Sequence, residues 1–130
     1  MYKALTHGVQ VTVNTLFMEE ESDPDQSYFF WAYTIEILNL GTDTVQLMGR
    51  HWEIVADDGQ AQVVDGEGVV GEQPVLEPGE AFEYTSGAPL PTASGMMRGH
   101  YLMETRNGEG IQVEVPAFSL DSPYSKRTLN

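Results

Sequence analysis

Tyr28-Phe29-Phe30-Trp31-Ala32-Tyr33-Thr34-Ile35-Glu36-Ile37-Leu38-Asn39-Leu40 decides the fold. The stretch is rich in aromatic and β-branched residues, and Phe29, Trp31, Tyr33, Ile35 and Ile37 share one side of an extended chain. They supply the largest share of the core, since burying one such side chain is worth about 1.5–3 kcal/mol. The same period of two returns on either side. Before it, Val9, Val11, Val13, Thr15 and Phe17 line one face of a strand, followed by the charged loop Glu19–Asp25. After it, Asn39-Leu40-Gly41-Thr42-Asp43 makes a turn into a strand from about Val45 to Ala56. Alternation slips inside that strand: Val45 and Leu47 have one parity, Trp52 and Ile54 the other. A β-bulge at Gly49 returns both pairs to one face.

Asp57-Asp58-Gly59 is a hairpin signal, with Gln60 to Val64 as the return strand. Further strands are predicted at Glu80–Ser86, Met96–Thr105 and Gly110–Phe118, the last two joined through Asn107-Gly108-Glu109-Gly110. Helical periodicity is absent over any long window. The expectation is an all-β sandwich of about seven antiparallel strands in two sheets, of the immunoglobulin or fibronectin type III kind. Leu76-Glu77-Pro78-Gly79-Glu80-Ala81-Phe82-Glu83-Tyr84 resembles an edge-crossing segment of those domains, in which Tyr84 or Tyr101 supplies the hydroxyl-to-backbone bond of a tyrosine corner. With 130 residues, one domain over 1–130 is expected, with a core about 7–120 and a C-terminal tail 121–130.

Composition removes several function classes. The chain has no cysteine, which excludes disulfides, thiol nucleophiles, iron–sulfur clusters and Cys-ligated zinc. No apolar run approaches the roughly 18 residues of a membrane helix, and Met1–His7 lacks a signal peptide's apolar region, so a cytoplasmic location without membrane contact is expected. Twenty acidic residues face six basic ones, a net charge of −14. That field repels polyanions within a Debye length of roughly 8 Å, so nucleic acid is not an expected partner. Two of the six cations, Lys126 and Arg127, fall in the tail.

Asp65-Gly66-Glu67-Gly68-Val69-Val70-Gly71 contains the G-x-G-x-x-G spacing. In dinucleotide folds that motif lies between a strand and a helix whose free N–H groups face pyrophosphate. Here Pro74 and Pro78 follow, opposing a helix, and no Walker lysine is present. Gly66, Gly68 and Gly71 are read first as residues permitting positive φ in a bulged strand or turn, and second as an anion-holding backbone nest. Arg50, His51, Arg98 and His100 form a second constellation. On neighbouring strands they would meet on one outward face, where the arginines either recognise a carboxylate or phosphate or pair with Glu53 and Glu104. These seven residues are the candidate ligand or partner contacts.

Catalytic signatures are missing. His7, His51 and His100 lack the close spacing of a metal triad, and the loop Glu19–Asp25 lacks ordered Ca²⁺-loop spacing, so no metal and no cofactor is expected. Ser86 before Gly87 is not in a Gly-x-Ser-x-Gly elbow. Paired carboxylates occur throughout by composition and discriminate nothing.

Taken together, Gly49-Arg50-His51-Trp52, Gly66 through Pro74, Leu76 through Glu80, Tyr84-Thr85-Ser86-Gly87, Gly95 through Tyr101 and Val115 through Leu120 are similar to the ApaG family, as are Phe30 through Ile35 and Asn39-Leu40-Gly41. The resemblance covers almost the whole chain and implies a fibronectin type III-like sandwich in a small bacterial cytoplasmic protein. Related domains in eukaryotic F-box proteins and in a polymerase-interacting protein resemble protein-binding modules. The family takes its name from gene proximity to a diadenosine tetraphosphate hydrolase and is loosely associated with cobalt and magnesium tolerance. The functional expectation is a non-enzymatic module that binds a protein partner, as a monomer or homodimer. Its alternative is a pyrophosphate- or nucleotide-binding protein, with a phosphate-containing small molecule as partner, linked to diadenosine tetraphosphate metabolism or to cobalt and magnesium homeostasis.

Overall fold

A computed structural model describes residues 1–125; Lys126 and Arg127, with the rest of the predicted tail beyond Ser125, lie outside the described residues. Among the described residues nine strands build two antiparallel sheets. The first sheet has the order β1 (Tyr2–Thr6), β2 (Val9–Phe17), β3 (Phe29–Asn39), β7 (Ala81–Leu90). The second runs β5 (Ala61–Glu67), β4 (Val45–Ala56), β8 (Ser94–Thr105), β9 (Gly110–Asp121), with the two-residue β6 (Val75–Leu76) also paired to β4. Among the described residues, a three-residue 3-10 turn at Pro24–Gln26, in the acidic loop, is the one helical element. Among the described residues no helix is long and apolar enough to cross a membrane.

The alternation read from the sequence is the alternation of burial. Along β3 every second residue from Phe29 to Ile37 is buried, with Trp31, Ile35 and Ile37 at 0–1% exposure. Opposing them from the second sheet are Leu47, Trp52, Met97, Tyr101, Met103, Val113 and Phe118. The bulge in β4 lies between Leu47 and Gly49: Leu47 faces Met103 and Gly49 faces Leu102, leaving Met48 as the extra residue. Trp52 thereby joins Val45 and Leu47 inside. A second irregularity, which the sequence reading did not anticipate, sits in β9, where Met97 faces Phe118 but Gly99 faces Val115. The intervening Pro116, which has no N–H to donate, marks it.

Two expectations need correction. About seven strands become nine among the described residues, because β1 precedes the predicted first strand and β6 lies where no strand was predicted, at the start of the edge-crossing segment. The tyrosine corner is replaced by a different bond. Tyr84 on β7 and Tyr101 on β8 bring their hydroxyls to 2.5 Å of each other within the core, one donating to the other across the two sheets. One flank of the sandwich is closed by β1 against β9, through Tyr2 Oη and Ser119 Oγ at 2.9 Å and the Glu114 N–H donating to Thr6 Oγ1 at 3.3 Å. The opposite flank is bordered by β7 and β5, and β5 has no strand partner on its outer edge among the described residues.

Candidate functional site

The glycine segment belongs to two elements. Gly66 is in β5, opposite Arg50 of β4. A Cβ on Gly66 would lie 2.7 Å from Cζ, Nη1 and Nη2 of Arg50 alike, so the guanidinium lies flat on the backbone that glycine leaves bare. From there Nη1 donates to the carbonyls of Glu67 (3.0 Å) and Gly68 (2.9 Å). Gly68 has φ 60° and passes so close to the Glu72 carbonyl that a Cβ would be 2.2 Å from its oxygen. Beyond it, Val69 and Glu72 exchange N–H···O bonds of 2.9 Å around Val70 (φ 43°) and Gly71 (φ 80°). Positive φ at both central residues marks this as a two-residue hairpin turn of the I′ kind. Gly68 N–H donates to the Met48 carbonyl at 2.9 Å and Gln73 Nε2 to the same oxygen at 2.9 Å, tying the hairpin to the bulge of β4.

This arrangement has a chemical consequence. The segment turns the carbonyls of Glu67 and Gly68 toward a cation, and the N–H groups of Gly68, Val69 and Glu72 are already engaged with backbone. An anion nest needs converging free N–H groups. Gly66 and Gly68 allow close backbone approach, and Gly68 and Gly71 take positive φ.

Arg50 and Arg98 do not share a face, contrary to expectation. Arg50 has the parity of Trp52 and stands opposite Tyr101, so it lies at the inner side of the sheet near the β5–β7 flank. Its charge acts on Tyr33, Tyr84 and Tyr101 from there, lowering each hydroxyl's pKa slightly against a larger opposing effect. Burial is that larger effect: it raises all three tyrosines above their ordinary value, Tyr101 most, with the neighbouring Tyr84 adding to it.

Arg98, His51 and His100 do share the outer face. His51 and His100 are register partners whose rings stack with centroids 4.9 Å apart and planes 19° from parallel. His51 Nδ1 lies 2.6 Å from Asp65 Oδ1 of β5, and Arg98 Nη2 donates to Glu53 Oε1 at 3.3 Å. Pairing with Glu53 is the local acid partnership foreseen for Arg98; Arg50 finds carbonyls rather than a carboxylate. The seven predicted residues thus fall into two groups, Arg50 with the glycine hairpin and Arg98 with the histidine pair, both bordering β5. Among the described residues no cluster of three or more His, Asp or Glu is arranged to hold a metal ion.

Sequence reasoning passed over Val70 and Asp65. The signal for Val70 was available: a β-branched residue directly before a glycine at the centre of a tight turn. Asp65 is signalled by its place two residues beyond Val63 on a strand pairing with His51.

Comparison with known proteins gives consistent matches. The model of the ApaG domain family matches residues 19–105. The chain is 57% identical to Protein ApaG of Rhodopseudomonas palustris (strain TIE-1) over 130 residues, 100% of each chain. It is 55% identical to Protein ApaG of Xanthobacter autotrophicus, again over 130 residues and 100% of each. Among solved structures, the putative ApaA protein from Bordetella pertussis superposes with a TM-score of 0.87 at 44% identity, covering 90% of this chain and 95% of that one.

Proposed function

We propose, from the premise that this chain belongs to the ApaG domain family, that it is a non-enzymatic module for binding another protein. The observation that carries this reading is the state of β5. It is an edge strand with Ala61, Gln62, Val63, Asp65 and Glu67 all exposed, and it runs directly into the hairpin that Arg50 holds. An extended segment of a partner can add to such an edge through main-chain hydrogen bonds, with alternate side chains setting specificity. Val63, 59% exposed, and the neighbouring outer-face group of His51, Arg98 and His100 would supply those side-chain contacts. Net charge of −14 favours a partner with basic residues.

Among the described residues, the raised pKa values of Tyr33, Tyr84 and Tyr101 follow first from their burial in the core, as packing alone requires. The pyrophosphate alternative has less support, because the N–H groups of Gly68, Val69 and Glu72 are engaged with carbonyls. Adding pyrophosphate or ATP with Mg²⁺ at millimolar concentration should leave the amide resonances of Gly66, Gly68 and Gly71 in place; saturable shifts at those three would revive it.

The binding reading is tested by partner capture on the immobilised protein, followed by affinity measurement with the purified partner. Val63→Lys puts a charge on the exposed strand edge and should weaken the complex at least ten-fold, while Thr12→Lys on the far sheet leaves it unchanged. An affinity unaffected by Val63→Lys refutes the β5 surface.

A further inference from the structure

The hairpin that follows β5 carries a residue its geometry does not want. A two-residue I′ turn needs left-handed backbone at both central positions, a demand that Asn-Gly meets at little cost. Here the first central residue is Val70 at φ 43°, and a β-branched side chain in that region crowds its own backbone. Core packing does not explain the choice: Val69 fills the interior at 1% exposure, while Val70 is 54% exposed. Nor is the turn free to relax. It is tied by Gly68 N–H to Met48 O, by the Val69–Glu72 pair, by Gln73 Nε2 to Met48 O and by Arg50 Nη1 to the carbonyls of Glu67 and Gly68.

A rigid tip bearing an apolar side chain has little conformational entropy left to lose on association, so its contact is made at a low ordering cost. The flanking Glu67 and Glu72 are both exposed, so the tip is an apolar point between two negative charges. Resting on the protein-binding reading above, we propose that Val70 is the anchor of the interaction. It inserts into a shallow apolar socket on the partner protein, and Lys or Arg side chains at the socket's rim meet Glu67 and Glu72. Arg50 is a positioning residue in this scheme, acting through the hairpin it holds and not by touching the partner.

Site-specific photocrosslinking in cells tests this. A photoreactive amino acid is placed at Glu72, at Val63 on β5, or at Leu16 on the far sheet, each with Val70 intact and again with Val70→Asn, which suits the turn but removes the apolar tip. An adduct from position 72, absent from position 16 and reduced at least ten-fold by Val70→Asn, is expected. The partner identified in that adduct should then bind the otherwise unmodified Val70→Asn protein at least ten-fold more weakly, with weaker binding at higher salt. An adduct at 72 that persists with Val70→Asn, or adducts from 63 alone, overturns the anchor while leaving the module reading standing. Absence of adducts from both 72 and 63 overturns both.

Discussion

Replacing Val70 by asparagine should make the free protein more stable, although it exchanges an apolar residue for a polar one. Left-handed backbone costs an ordinary L-residue roughly 1–2 kcal/mol, and asparagine is among the residues that tolerate it. Val70 is 54% exposed, so its removal gives up less than half of a valine's full burial, about 0.7 kcal/mol. The net gain is about 0.3–1.3 kcal/mol. With an unfolding entropy near 2.1 cal/mol/K per residue, a chain of 130 residues shifts by about 4 °C for each kcal/mol, so the midpoint should rise by about 1–5 °C. Thermal unfolding followed by far-UV circular dichroism reads this, with urea titration as a second measure. Val70→Ala is the control: it keeps much of the backbone penalty and loses the side chain, so its midpoint should sit at or below that of the native sequence. If Val70→Asn unfolds at the native temperature or lower, the backbone at residue 70 is not strained and the reasoning about the hairpin fails.

Three further outcomes follow from the core. Tyr84→Phe leaves the Tyr101 hydroxyl buried without its partner and should cost about 1–3 kcal/mol, most of which Tyr101→Phe in the same chain restores; additive losses in a double-mutant cycle would contradict the shared hydrogen bond. Alkaline pH should unfold the protein, because Tyr33, Tyr84 and Tyr101 hold their protons in the fold beyond the value of 10.0 at which the unfolded chain releases them. The unfolded state then binds fewer protons, so stability is intact below pH 10 and falls above it by as much as about 1.4 kcal/mol per pH unit per tyrosine; ultraviolet titration showing all three ionising reversibly in folded protein near pH 10 would disprove this. Gly99→Ala should remove about 3 kcal/mol or more, since its Cβ would lie 2.0 Å from the His51 carbonyl oxygen; a melting temperature within 3 °C of native would show that β4 and β8 can part there.

The core was legible because one face of β3 carries Phe29, Trp31, Tyr33, Ile35 and Ile37 without interruption, and a two-residue period cannot be buried any other way. The bulge in β4 was legible for the same reason: a parity break with a glycine in it has few other resolutions. That bulge also contained the answer to the arginine question. Once Trp52 is placed inside, Arg50 two residues earlier must share its side, yet Arg50 was expected beside Arg98 on the outer face. β1 was harder to see, because Tyr2, Ala4 and Thr6 make a weak apolar row and the turn at His7-Gly8 puts a histidine at φ 50°. The meeting of Tyr84 with Tyr101 depends on how the two sheets are offset, which no local pattern encodes. Within the candidate site, the glycines announced a special backbone, but whether it would present N–H groups or carbonyls depended on Arg50 arriving from a neighbouring strand.

The paired tyrosine hydroxyls have a bearing on how the two layers find their alignment. Apolar faces slide over one another with small penalties, so greasy contact alone specifies the offset between sheets only loosely. Two hydroxyls joined by one hydrogen bond in a dry interior tolerate no such slack: a slip of one residue would strand both of them. The clasp therefore works as a vernier, converting a forgiving lamination into a single setting.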